Sequence, residues 1–577
     1  MLPRMRKFVP LLLAVSGLTP LPAAPLGPSE VVVVFNSAVP ESVKLAAIYR
    51  DARKIPADNL IGLKMPATVD ISRADYVSTI QNPLRLEFDK RHFWQRAKDS
   101  NNTVGPVANK IRVLVTMRGV PLRIQAAPEP KDAKEAKEEK VANDAKGPVG
   151  GRDDAAVDSE LAMFGVEDVP IKGVLSNKYF KSEKSISEAN LPFLVLTARI
   201  DAVSMATCER MVHDAVETEA IGLWGRAYVD IANKYPEGDK WLEGVVSENL
   251  RVGIPTVVDR FNDTLPKNYP MTEAALYYGW YDWSLSGPFL NPKFRFRKGA
   301  VAMHLHSFSA QQLTNPTQNW SAGLLEKGAA VTIGNVGEPY LQLTHQFDIL
   351  HQGLLAGHTW VEAAWMAMPA ASWQGIVLGD PLYRPFLHFD GNGKRLKPDS
   401  DFLALRLAAI RWGDKPEEMR KQLQDLTESL KSGTLSEALG LRLVEAAKPA
   451  AAAVWFSNAK GHFLKPEDKL RQDFNLIAIQ RAAPNGKAQA IQALREAKAR
   501  YGSIPEAEAL SGWLDILDPP PPPPAVPAKP APPTPSAGTT PGVVPIPVIP
   551  VPVITLPVIP LPAKTPEKTT PARSNTR

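Results

Sequence analysis

The chain has 577 residues, 44% of them hydrophobic and 22% charged, with 55 Pro and 1 Cys. That length exceeds what one compact core accommodates and implies two folded domains plus unfolded sequence. A single cysteine excludes an intramolecular disulfide framework and any Cys-based zinc or iron–sulfur site, and 67 basic against 61 acidic residues are too evenly balanced to argue for a nucleic-acid partner.

In chain order, residues 1–24 read as an export signal. Arg4, Arg6 and Lys7 supply the positive start, the run from Phe8 to Leu18 is apolar, and Ala23 and Ala24 are the small residues that follow. The apolar run is too short to span a bilayer. The mature chain is therefore expected to lack a transmembrane segment and to reside in the periplasm, the cell envelope or outside the cell.

From residue 28 the pattern becomes α/β. Val31, Val32, Val33 and Val34 mark a strand buried on both faces. The stretch PESVKLAAIYRDARK follows as a helix, with Pro40 at its start and Val43, Ala46, Ala47 and Tyr49 at near-helical spacing. NLIGLKMP reads as a second strand, residues 72–98 as a long amphipathic helix, and IRVLVTMRGVPLRI as a third strand ending in a turn at Gly119. The runs FLVLTARI, GRAYVDIA, AALYYGWYDW, GAVAMHLHSFS and GAAVTIGNV resume the rhythm, which closes on GIVLGDPLYRPF. Strands alternating with helices predict a mostly parallel sheet flanked by helices over residues 28–390.

Residues 128–154, rich in Lys, Asp, Glu and Ala, interrupt this domain and predict an exposed, mobile insertion, either a passive loop or, in its sharpest reading, a lid. Residues 400–517 read as helices of modest length. AIQALREAKARYG followed by IPEAEALSGWL has the cadence of a tetratricopeptide-like pair, which suits binding a protein partner or bracing the first domain. Residues 518–577 form a Pro-rich tail, where a Pro at every second or third position precludes a membrane helix and predicts polyproline II or disorder.

The strings GAVAMHLHSFSA, GAAVTIGNV, LLAGHTWVEAAWMAMPAAS and VLGDPLYRPF, with RGVPLRI, VDSELA and GNVGEPYL, occur in an order that resembles a family. It is an uncharacterised family of exported bacterial proteins from genomes carrying the exosortase (PEP-CTERM) sorting system. A more distant likeness, carried by TARIDAVSMATCERMVHDAVETEA and by residues 328–331, 354–357, 362–363 and 378–381, is to gingipain-like peptidases. That likeness implies a caspase-like fold, with a His at the end of one central strand and a Cys on the next. No Cys follows His304 or His306 here; Cys208 lies in an earlier helix, among apolar neighbours that mark a buried structural thiol. A thiolate mechanism therefore lacks its nucleophile.

Several groups remain as candidates. His304 and His306, two apart in a strand, would share a face and could serve as base and orienter. They could also hold a metal, but no third ligand is evident beyond Glu338 or His345 further along, and no cofactor is expected. Asp158 and Glu160 in VDSELA read as proton-transfer or recognition groups, or as the opening cap of a helix. The catalytic set is thus His304, His306, Glu338, Asp158 and Glu160. Tyr277, Tyr278, Trp280, Tyr281 and Trp283 crowd one strand; about half should fill the core and the rest line a cleft. Tyr278, Trp280, Trp320 and Asn335 are the binding candidates. Asn335 and Glu338 belong to a tight loop at a strand's carboxyl end, where open α/β sheets bind ligands. Ser307, Ser309 and Ser321 offer hydroxyls without a G-x-S-x-G elbow.

Two functions fit these residues. One is an exported, envelope-associated hydrolase or a degenerate peptidase homologue. The other is a non-catalytic binding or scaffold module, linked to protein sorting or the extracellular matrix, that holds a glycan or peptide in an aromatic cleft. In both, the imidazoles, the acidic loop and the aromatic cluster should surround one hollow.

Overall fold

The computed structural model describes residues 26–520, apart from 101, 129–142, 144–145, 262–263 and 394–398. The candidate export signal, nearly all of the Pro-rich tail and most of the charged insertion lie outside the described residues.

The protein is α/β, with a mostly parallel sheet and a helical C-terminal region. Ten principal strands form the sheet: Val31–Asn36 (β1), Leu60–Leu63 (β2), Val113–Met117 (β3), Leu196–Ile200 (β4), Arg226–Asp230 (β5), Thr256–Asp259 (β6), Ala274–Gly279 (β7), Val301–His304 (β8), Thr332–Asn335 (β9) and Gly375–Leu378 (β10). The first half has the order β9–β10–β4–β3–β1–β2, and the second has β6–β5–β7–β8. A parallel bridge between Val301 and Val331 joins them, reinforced by the Ala330 N–H on the Ala300 carbonyl at 2.9 Å. All pairs are parallel except β9 with β10. Strands β5 to β9 therefore run opposite to β1–β4 and β10.

Burial explains the strand sequences. Val31 to Val34 have no exposed surface, because helices cover both faces of the sheet. The helix Pro40–Arg53 covers one face with Ser42, Leu45, Ala46 and Tyr49, while Val43 points outward, so the buried stripe is displaced from the expected one. The expected long helix over residues 72–98 ends early. Its last helical segment is Asn82–Lys90, His92 takes a left-handed conformation, and Trp94–Lys98 turns back as a strand against Val104–Asn109.

The C-terminal helices Ser400–Trp412, Pro416–Leu430, Gly433–Glu445, Pro449–His462, Pro466–Ala482, Lys487–Tyr501 and Glu508–Leu517 dock on the second half of the sheet. A buried ion network fastens them. Glu437 accepts from Arg226 of β5 at 2.7 Å and from Arg471 at 2.6 Å, and Arg471 also donates to Asp468, which Thr272 bonds at 2.6 Å. Burial disfavours the Glu437 carboxylate, but the two guanidinium groups outweigh it and hold the pKa down at about 2. No helix among the described residues is long and apolar enough to cross a membrane.

Candidate functional site

Strands β7, β8 and β9 end side by side, and the loops beyond them carry most of the candidate residues. Strand β8 stops at His304, so His304 and His306 do not share surroundings. His304 lies flat on Trp320, with ring centroids 3.4 Å apart and planes 5° apart. The Asp282 N–H donates to its Nε2 at 3.2 Å, so Nδ1 carries the proton and donates to the Tyr277 hydroxyl at 3.0 Å. Tyr277 in turn faces Asp230 at 3.5 Å. Burial first, and the neighbouring His306 second, push the His304 pKa well below its ordinary value. Both nitrogens are committed and the ring is sealed; this is the chemistry of a structural histidine.

His306 is 3% exposed and packs edge-on to Trp283 at 4.9 Å and tilted against Tyr281 at 5.0 Å. Its Nδ1 donates to the Ser307 carbonyl, which leaves Nε2 as a bare acceptor with no partner among the described residues. Burial lowers its pKa, while the Ser307 carbonyl, Glu338 and Asp282 pull the other way. Glu338 spends Oε1 on the Tyr340 N–H at 2.9 Å, and its backbone carbonyl accepts from Arg152. Glu338 thus acts on His306 through its charge.

The acidic loop is committed elsewhere. Asp158 is fully buried and accepts from Arg199 Nε at 2.7 Å and from Thr116 at 2.6 Å. Arg199 also donates to the Val120 and Pro121 carbonyls, which makes the pair a buttress across β3 and β4. Nor is Asp158 a cap: the helix Val157–Leu161 has Ala156 at its N-cap, without a side-chain bond. Glu160 is held by Arg73 at 2.8 Å and by the Ser372 hydroxyl at 2.6 Å. The structure therefore gathers His306 and Glu338 with the aromatic cluster, but not Asp158 and Glu160.

The four binding candidates are all buried. Tyr278 exchanges a hydrogen bond with His351 at 2.8 Å, because β7 is an interior strand covered on both faces. Trp280 donates to Asp239 at 2.7 Å and packs over Gly238. Trp320 donates to the Asp282 carbonyl at 2.9 Å and supports His304 from below. Asn335 bonds Thr344 at 3.0 Å and the Ser309 hydroxyl through its backbone N–H. Ser321 donates to the Ile333 carbonyl at 3.0 Å.

What reaches solvent is a ledge of rings: Tyr235, 45% exposed, stands against Tyr281, which touches His306, then Trp283, 53% exposed, and Phe308. Asp282 and Glu338 lie beside it. The sequence places all five aromatics on one strand and points to Tyr278 and Trp280 for the cleft, but the strand ends at Gly279 and it is Tyr281 and Trp283 beyond it that reach the edge. Tyr235 carried no such signal, since only the pairing of β5 with β7 brings its loop there.

Of the candidate nucleophiles, Ser307 is half-buried at this edge with its carbonyl on the His306 ring, while Ser309 and Ser321 are buried. Cys208 is buried, and burial followed by the charge of Asp201 pushes its thiol far up. Among the described residues, no group of three or more His, Cys, Asp or Glu side chains could hold a metal ion. The chain matches no family model, no curated protein and no solved structure.

Proposed function

We propose that this is an exported, non-catalytic glycan-binding protein, built on a degenerate caspase-like domain with a tetratricopeptide-like region that meets a protein partner. The observation that carries the reading is the exposed aromatic ledge at the tips of β7 and β8, flanked by carboxylates and backed by the sealed His304. Flat ring faces stack on the apolar face of a sugar, and neighbouring acceptors take its hydroxyls. A peptide that adds to a sheet needs an unpaired strand edge; β7 is an interior strand, and the edge of β8 is met by the Val301–Val331 bridge and by the bonds of Ala300 and Ala302 to Ala330 and Val331. Against hydrolysis stand the buried thiol, the committed Ser309 and Ser321 hydroxyls, His304 with both nitrogens in use, and the His306 Nδ1 turned to the Ser307 carbonyl and not to its hydroxyl. The caspase-like part of the reading rests on the neighbouring parallel strands β5, β7 and β8 and on the motifs that resemble the peptidases.

Titration of the full chain with a panel of neutral polysaccharides tests this. At least one should bind, and Trp283→Ala and Tyr235→Ala should each weaken it by about ten-fold, the cost of losing one stacked ring. Melting temperatures should barely move, since both side chains face solvent. Identical binding by both variants and the parent chain would defeat the proposal.

A further inference from the structure

The ledge has a chemical bias that narrows its ligand. We propose that His306, Asp282 and Glu338, together with the rings of Tyr281 and Trp283, recognise an amino sugar, a hexosamine whose free amine carries an ammonium charge. This rests on the glycan reading and specifies it.

Three observations converge on a cationic donor. First, His306 is 3% exposed, yet its Nε2 meets no donor among the described residues. The Ser307 carbonyl accepts from Nδ1, so Nε2 presents a lone pair. Leaving a buried acceptor unmet is costly, and a ligand N–H removes that cost. Second, the polar side chains that act on this imidazole are carboxylates, Asp282 and Glu338. Each accepts one local backbone N–H, from Trp283 at 2.7 Å and from Tyr340 at 2.9 Å, and ionised carboxylates have further acceptor capacity but no proton to offer. Third, the ring faces suit a cation. The Lys234 ammonium stands 5.3 Å over Tyr281, which shows the contact and occupies that ring, so the ligand ammonium is left the face of Trp283. Two carboxylates repel an acidic polysaccharide, and N-acetylation removes the charge that they favour.

The test is calorimetric titration of the full chain with a glucosamine hexamer and an N-acetylglucosamine hexamer. The free-amine oligomer should bind about ten-fold tighter, the worth of one charge-assisted contact. Glu338→Gln and Asp282→Asn should erase the preference. His306→Phe, which keeps a ring and removes the acceptor, should weaken the free-amine oligomer; if that variant melts early, the two carboxylate variants, on partly exposed residues, carry the test. Equal affinity for the two hexamers overturns the amino-sugar inference and leaves the glycan reading standing. So does binding of a neutral polysaccharide with neither hexamer. Failure of every saccharide overturns both, and a lysine-rich peptide that binds in their place would reassign the ledge to a protein ligand.

Discussion

His345 is fully buried, and neither ring nitrogen has a partner among the described residues. Burial holds its pKa at about 3, and burial with Arg251 nearby holds that of His351 at about 3. Both are therefore neutral in the folded protein, whereas in the unfolded chain an imidazole titrates at about 6.5. Between these values the unfolded chain binds more protons, so stability is fully present above pH 6.5 and drains away as pH falls towards 3. At pH 5 each of the two should have cost about 2 kcal/mol. Denaturant midpoints at pH 7.5 and pH 5 should show the loss, and His345→Leu should reduce it, since that variant deletes a titrating group with no hydrogen bond to break. An unchanged pH dependence in that variant would assign the acid sensitivity to other groups. The same scale shows why Asp158 misleads in the sequence. A carboxylate in a polar string after a charged insertion looks exposed, and only the long-range approach of Arg199 reveals it as half of a buried pair.

Between neighbouring elements, one glycine governs the ledge. Gly238 lies in the helix Pro236–Val252, and a Cβ there would come within 2.2 Å of the Trp280 ring. Gly→Ala inside a helix ordinarily stabilises by about 0.5–1 kcal/mol. Here overpacking should reverse the sign, at a net cost of about 1–3 kcal/mol, and displace the segment from Trp280 to Trp283. A lower melting temperature for Gly238→Ala, with weakened saccharide binding, is the expected result; a rise in melting temperature would refute the packing argument. Strands such as Val31–Asn36 were legible because a run of β-branched residues buried on both faces reads the same in any context. The helix expected over residues 72–98 was not, because Lys90 to Trp94 has no Gly or Pro to announce the turn, and His92 supplies the left-handed residue instead. The aromatic strand failed for another reason. Alternation separates an inner from an outer face, and an interior strand with helices on both sides has no outer face, so Tyr277 and Tyr278 are both buried.

Across the whole molecule, the helical region and the sheet share one core, with Glu437 between Arg226 and Arg471 at its seam. Glu437→Ala would strand two buried guanidinium groups, at a cost of about 3–5 kcal/mol. Denaturation should then begin at lower denaturant, and limited proteolysis should cut the C-terminal helices first; an unchanged transition would mean that the seam contributes little. The sequence signalled a change of composition near residue 400 but not this union, because Arg226 and Glu437, the charges that cross the seam, lie 211 residues apart. The reversal of direction between β9 and β10 has a consequence of its own. Strands β5–β9 point their carboxyl tips to one pole, and β1–β4 with β10 point theirs to the other. Under the glycan proposal, a polymer held at the aromatic pole would leave the other pole turned outward, the arrangement of a one-handed tether and not of a clamp.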